Sequence, residues 1–230
     1  MAGLKRQYVC ITDEQGKIIG NGANQAWFSA SNWCNVSGQG CGIIAALDLC
    51  HYVLGQRLVP KAEYEKEIKE FVKAIPLARL YMHEFFGKIA VGLTPIQICR
   101  FLNRRLKGKY KVSYNGRNGH NNMLEKMEAM LSNDIPVIWS LYRMGKRLTL
   151  YTYKSVTREY VPSASTNSHY VNAISIIRQD SDMHKVMIKI SSWGKIFFID
   201  YDEYLEYVGH SILSSVCSNI FFIKKTGDKD

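Results

Sequence analysis

Asn35-Val36-Ser37-Gly38-Gln39-Gly40-Cys41-Gly42, followed directly by the mostly apolar stretch Ile43 to Leu54, decides how the rest of this chain is read. A glycine-flanked loop delivers a thiol to the first turn of a buried helix. Aligned peptide dipoles leave about half a positive charge at such an N-terminus, which favours thiolate and lowers a pKa of about 8.5 toward the range where sulfur attacks carbonyl carbon. The pattern predicts a nucleophile at Cys41.

Outward from this motif, hydrophobic periodicity sorts the chain. Leu47 to Leu54 continues the Cys41 helix, and Tyr64, Ile68, Phe71 and Val72 recur at helical spacing among lysines and glutamates. Thr94-Pro95 reads as an N-cap and first turn ahead of Ile96, Cys99, Leu102 and Leu106, and Met123, Met127, Met130 and Leu131 share one helical face. From Ile135 the pattern changes to short β-rich runs: Pro136 to Tyr142, Leu148 to Tyr153, Tyr170 to Ile177, Val186 to Ser191, Ile196 to Ile199 and Ile220 to Ile223. Polar stretches at Gly116 to Asn122 and Pro162 to Ser168 read as loops. The expectation is a single α+β domain. A helical part over about 20–134 precedes an antiparallel β-rich part over about 135–224, with a frayed tail at 225–230.

With 230 residues and 47% hydrophobic composition, the chain can bury a full core, which argues against disorder. Lys plus Arg number 30 against 20 Asp plus Glu, a formal charge of +10 that draws in an acidic or phosphate-bearing partner. Its densest patch, Arg104, Arg105, Lys107 and Lys109, reads as a solvated face. Met1 to Val9 carries charges and no apolar segment, and no run of about 18 apolar residues occurs, so no membrane span is expected and a cytoplasmic location is the default. Cys10, Cys34, Cys41, Cys50, Cys99 and Cys217 show no C-x-x-C spacing, so neither a zinc knuckle nor a disulfide framework is expected, and no cofactor. Tyr151, Tyr153 and Tyr160 alternate with basic residues as a surface for stacking single-stranded nucleic acid would, but strand tyrosines are more often packing residues.

A thiolate needs a base within hydrogen-bond reach. His51 lies ten residues along the Cys41 helix, about 15 Å away at the helical rise, and cannot serve. His83 falls in a predicted helix among aromatics, His120 in a glycine-rich loop, and His184 and His210 in or near turns. His169 opens the first long strand of the β-rich part directly after a polar loop, an edge position facing a cleft. A hairpin centred on Asp180 would set Ser191 directly opposite His169, on the same face of the sheet. Asp180 and Asp182 themselves lie at the far end of that hairpin and read as turn residues.

Asn35-x5-Cys41-Gly42, a distant His169 at a strand start, and then Ser191-Ser192-Trp193-Gly194 resemble, in order and spacing, the papain-like cysteine peptidases. The likeness is greatest to the bacterial branch that includes the double-glycine leader peptidases of bacteriocin exporters. It runs from about Gln25 to the end of the chain, carried by three motif regions. The resemblance implies two lobes, a helical one bearing the nucleophile Cys41 and a β-rich one bearing His169 as general base and later acid. Asn35 falls where the family has a glutamine that shares the oxyanion with the Cys41 N–H, one methylene shorter; Gln39 and Gln25 are the other amides at hand. Trp193 matches an indole that shields the histidine, and Gly42 supports the nucleophile's turn. Ser191 stands where papain has asparagine and the leader peptidases aspartate, so it would accept from the imidazole without a full charge. The implied reaction is cleavage of a peptide or protein substrate through a Cys41 thioester. Acyl or amide transfer, and a catalytically weak peptide-binding module, are the alternatives.

Overall fold

The chain begins with strands, not helices. In the computed structural model, which describes residues 2–28, 35–75, 92–180, 184–209 and 212–227, β1 (Ala2–Gly3), β2 (Cys10–Thr12) and β3 (Ile18–Asn21) precede the first helix. Then come α1 (Val36–Gln39), α2 (Cys41–Leu54), β4 (Leu58–Pro60), α3 (Lys61–Ala74), α4 (Pro95–Arg105), β5 (Tyr110–Tyr114) and α5 (Met123–Ser132). The second half supplies β6 (Val137–Tyr142), β7 (Leu148–Lys154), β8 (Glu159–Thr166), β9 (Ser168–Arg178), β10 (Val186–Ser192) and β11 (Lys195–Asp200). Helices α6 (Tyr201–Val208) and α7 (Ile212–Cys217) and strand β12 (Phe221–Lys225) complete it. This is a mixed α+β fold with a mostly antiparallel sheet, as the change of periodicity predicts.

Each helix forms for a legible reason. Helix α2 is buried from Gly42 to Tyr52, as an apolar-all-round helix must be, and Gly55 ends it in the left-handed conformation at φ 91°. Helix α3 buries one stripe, Tyr64, Ile68, Phe71 and Val72. Burying each of these contributes about 2 kcal/mol before ordering entropy is counted. Thr94 caps α4 through a reciprocal pair, Gln97 N–H to Thr94 Oγ1 and Thr94 N–H to Gln97 Oε1, with Pro95 in the first turn.

Strand β9 organises the main sheet. Strands run in the order β1-β9-β10-β11-β7-β8, and β6 pairs with β9 as well. Along one edge of β9, β6 takes residues 168–173 and the short β1 takes Ser175 and Ile176, so the chain's start closes the sheet beside its middle. Two smaller sheets, β3-β2-β4 and β12-β5, lie outside it. Helix α2 packs on β9, and Asn172 Nδ2 donates across that contact to Ala45 O at 3.1 Å.

Several expectations are corrected. Pro162 to Ser168, read as a loop, is mostly strand: β8 runs through Thr166, and its position at the end of the strand order lets it carry a proline without breaking a ladder. The part before 135 holds strands β1 to β5 as well as helices, and β12 extends into the expected tail as far as Lys225. Cys34, His83, Asp182, His210 and residues 228–230 lie outside the described residues. No helix among the described residues is long and apolar enough to cross a membrane.

Candidate active site

Cys41 is the first residue of α2, and Gly40 joins that helix to the single turn of α1. A Cβ on Gly42 would come within 3.0 Å of Ile98 Cδ1 and 3.2 Å of the Tyr170 ring, so the missing side chain is what lets α4 and β9 close on the first turn. Across this contact the backbone N–H of Tyr170, the residue after His169, points at the Cys41 sulfur. Cys41, Gln25, Asp48, His169, Ser192 and Trp193 are among the walls of one narrow, partly open cavity of about 10 Å³, room for about one water molecule.

His169 is held from two sides. Its Nε2 lies 2.7 Å from Ser192 Oγ, and its ring stacks on the Trp193 indole with centroids 4.5 Å apart and planes 25° apart. The stacking follows from the turn between β10 and β11. Ser192 pairs with Lys195, which leaves Trp193 at φ 49° and Gly194 at φ 72° as the two turn residues, both left-handed, the geometry that matches the twist of a two-residue hairpin. A tryptophan in that conformation is strained, and here it covers the imidazole.

Burial governs the electrostatics. Desolvation pushes the His169 imidazole down to about 3, with no charged neighbour opposing it. The Cys41 thiol is pushed above its ordinary value by the same cause, although N–H groups of Tyr170, Gly42 and Cys41 itself pull the other way. The expected thiolate is therefore corrected. Both groups are uncharged, because desolvation at the helix N-terminus outweighs what its dipole can offset. Compared with family models, with curated proteins and with solved structures, the chain matches none.

The remaining predicted residues divide. Ser191 does not stand opposite His169: pairing runs Val186–Arg178 to Lys189–Ser175, shifts at a bulge, and ends with Ser191 against Asn172. Its hydroxyl donates to Asn21 O at 2.7 Å, and the next residue, Ser192, meets the imidazole. Asn35 caps α1, its Oδ1 accepting from Gly38 N–H at 2.8 Å and from Ser37 Oγ at 3.1 Å, and it is not in the cavity wall. Nor is Gln39. Gln25, the amide from farther upstream, is there, its Nε2 donating to Ser37 O and Gly38 O at 3.0 and 3.1 Å. The other described histidines serve elsewhere. His51 contacts Gln56 and Glu67, and His120 contacts Ser218 O.

Asp48 was not anticipated. It is the only carboxylate in α2, seven residues after Cys41 and so two turns along the same face, which is the signal that would have found it. Its carboxyl accepts from the Tyr64 hydroxyl at 2.8 Å and from Ala23 N–H, and burial pushes it up to about 7. Away from the cavity, donor atoms of His184, Asp200 and Glu203 lie within 4.8 Å of one another. They already serve the fold: His184 Nδ1 contacts Asp200, Asp200 caps α6, and Glu203 accepts from the Tyr151 hydroxyl.

Proposed function

We propose that this chain is a cysteine peptidase of papain-like two-lobe design, acting through a Cys41 thioester. The observation that carries the reading is that Cys41 and His169, 128 residues apart in sequence, line one cavity where α2 meets β9, with Ser192 and Trp193 gripping the imidazole. With hydrogen on Nε2 and directed at Ser192 Oγ, the Nδ1 lone pair is available to the thiol proton. His169 takes that proton as Sγ attacks the carbonyl carbon of an amide. The tetrahedral oxyanion is met by the Cys41 N–H and by Gln25 Nε2, which exchanges its longer bond, to Gly38 O, for the new acceptor. Collapse breaks the C–N bond, the imidazolium returns its proton to the leaving amine, and water, deprotonated by His169, then cleaves the thioester to release acid and thiol. No cofactor enters these steps. The charge of +10 favours an acidic peptide or protein substrate, and a cytoplasmic setting would keep the thiol reduced.

Acylation by p-nitrophenyl acetate, in which the proton leaves sulfur as the new bond forms, tests the reading. Cys41 should react much faster than the other cysteines, and both Cys41→Ala and His169→Ala should abolish the fast phase. Amine release measured with and without an added acceptor amine separates hydrolysis from acyl transfer. Uniform slow acylation would sink the enzyme and favour a papain-like module that binds peptide without cutting it. The neutral pair and a serine in place of a carboxylate beside His169 are the features that support that second reading.

A further inference from the structure

The residues that flank the cavity without touching the thiol or the imidazole converge on one short segment, Asn21-Gly22-Ala23. Asn21 N–H donates to Gly194 O at 3.0 Å and Gly22 N–H to Val9 O at 2.7 Å. Ser191 Oγ, from β10, donates to Asn21 O at 2.7 Å. From α2, both carboxylate oxygens of Asp48 accept from Ala23 N–H, at 3.3 and 3.2 Å, while Oδ1 also accepts from Tyr64. The two side chains close on Gly22 so tightly that a Cβ there would lie 2.4 Å from Ser191 Oγ and 2.5 Å from Asp48 Oδ2, and Gly22 holds φ 77° as well. Two residues beyond Ala23 stands Gln25, in a 3-10 turn capped by Asn24.

We propose that Asp48 and Ser191 form a two-sided clamp that positions Gln25 for the oxyanion, joining the nucleophile's helix and the imidazole's sheet through the segment between them. The inference rests on the reading of Cys41 as a nucleophile. It assigns Ser191 a place in the site other than the one its sequence position suggested. It also explains a carboxylate buried in a mostly apolar helix, which is costly to bury unless paired. Neither side chain is a catalytic residue; both act through the backbone that carries Gln25. Near neutral pH the carboxyl can change its proton, since burial holds it at about 7, and a protonated carboxyl is the weaker acceptor for Ala23 N–H. The titratable groups that face it are Tyr64, Tyr8 and His51, and of these only His51 acts to keep it charged by its field.

The test separates two reactions of the same sulfur. Alkylation by iodoacetamide displaces iodide and forms no oxyanion, whereas acylation by p-nitrophenyl acetate passes through one and expels nitrophenolate. Asp48→Asn, Ser191→Ala and Gly22→Ala should each slow acylation of Cys41 about tenfold or more and leave its alkylation within about twofold. Gln25→Ala should do the same, and combining it with Asp48→Asn should add little, since both remove one effect. Should one variant fail to fold, the others carry the same comparison. Acylation unchanged in all three variants, equal losses in both reactions, or full additivity with Gln25→Ala would overturn the clamp. No acylation of Cys41 in the unaltered chain would overturn the nucleophile reading, and the clamp with it.

Discussion

Replacing His169 by glutamine should flatten the chain's acid sensitivity by a predictable amount. The imidazole ordinarily titrates near 6.5, and burial holds it at about 3 in the fold. Its folded pKa is depressed, so between these values the unfolded chain binds a proton that the folded chain refuses. The stability gained by keeping the ring neutral is thus complete above about pH 6.5 and is lost as pH falls toward 3. At about 1.4 kcal/mol per pH unit, the loss reaches about 2 kcal/mol by pH 5 and about 5 kcal/mol over the whole interval. His51 and Asp48 have raised values and change stability in the opposite sense as pH falls, but both are present in either chain and cancel on subtraction. So does the bond to Ser192, whose loss is independent of pH. Urea denaturation of both chains at pH 7.5 and pH 5 provides the measurement. The difference in unfolding free energy between them should shift by about 2 kcal/mol toward the variant at the lower pH. An identical difference at both values would mean that His169 protonates freely within the fold, and the neutral base would have to be abandoned.

Ser192→Ala should lower amide turnover roughly tenfold, less than the 10²–10⁴ that accompanies outright loss of a general base, and unfolding should become easier by about 1–3 kcal/mol because a buried ring nitrogen loses its partner. Turnover equal to the unaltered chain's would show that the bond does not orient the ring. Because the proton leaves sulfur during attack rather than beforehand, acylation of Cys41 by p-nitrophenyl acetate should run more slowly in D₂O. Equal rates in the two solvents would point instead to a thiolate already formed.

Much of the fold is local in origin, and that part was legible. The glycine-flanked cysteine before an apolar run marks the start of α2 at the observed residue, Thr94-Pro95 starts α4, and the β-rich runs coincide with β6, β7, β9, β10, β11 and β12 to within a few residues. What failed depends on long-range pairing. The register of β9 against β10 lies four residues from the expected one before the bulge between Lys189 and Ile190 and three after it, because the hairpin turns later than Asp180, and Ser192 rather than Ser191 meets the imidazole. Strand β8 was hidden by Pro162 because an edge position cannot be read from composition. Gln25 was named among the amides at hand, and it reaches the cavity wall because the N-terminal segment folds back onto α1 through backbone carbonyls that any sequence would supply. Asp48 was obscured by its neighbours: a helix read as core by its average hid the carboxylate buried in it.

The choice of serine beside His169 and the burial of the site act in the same direction. A carboxylate at Ser192 would stabilise imidazolium and oppose the desolvation that keeps the ring neutral; a hydroxyl orients the ring and leaves its proton affinity to burial. Charge at the sulfur is disfavoured by the same means. Desolvation outweighs the helix dipole there and holds the Cys41 thiol above its ordinary value, although the N–H groups of Tyr170, Gly42 and Cys41 pull the other way. The Trp193 turn contributes by covering the imidazole from one side, so the hairpin that brings Ser192 to Nε2 also helps keep water off the ring. On the proposed reading, a site built this way holds its two reactive groups uncharged until an amide arrives. On that reading the proton moves only as the carbon–sulfur bond forms, and the donors that would receive the oxyanion are fixed in advance by the segment to which Asp48 and Ser191 bond.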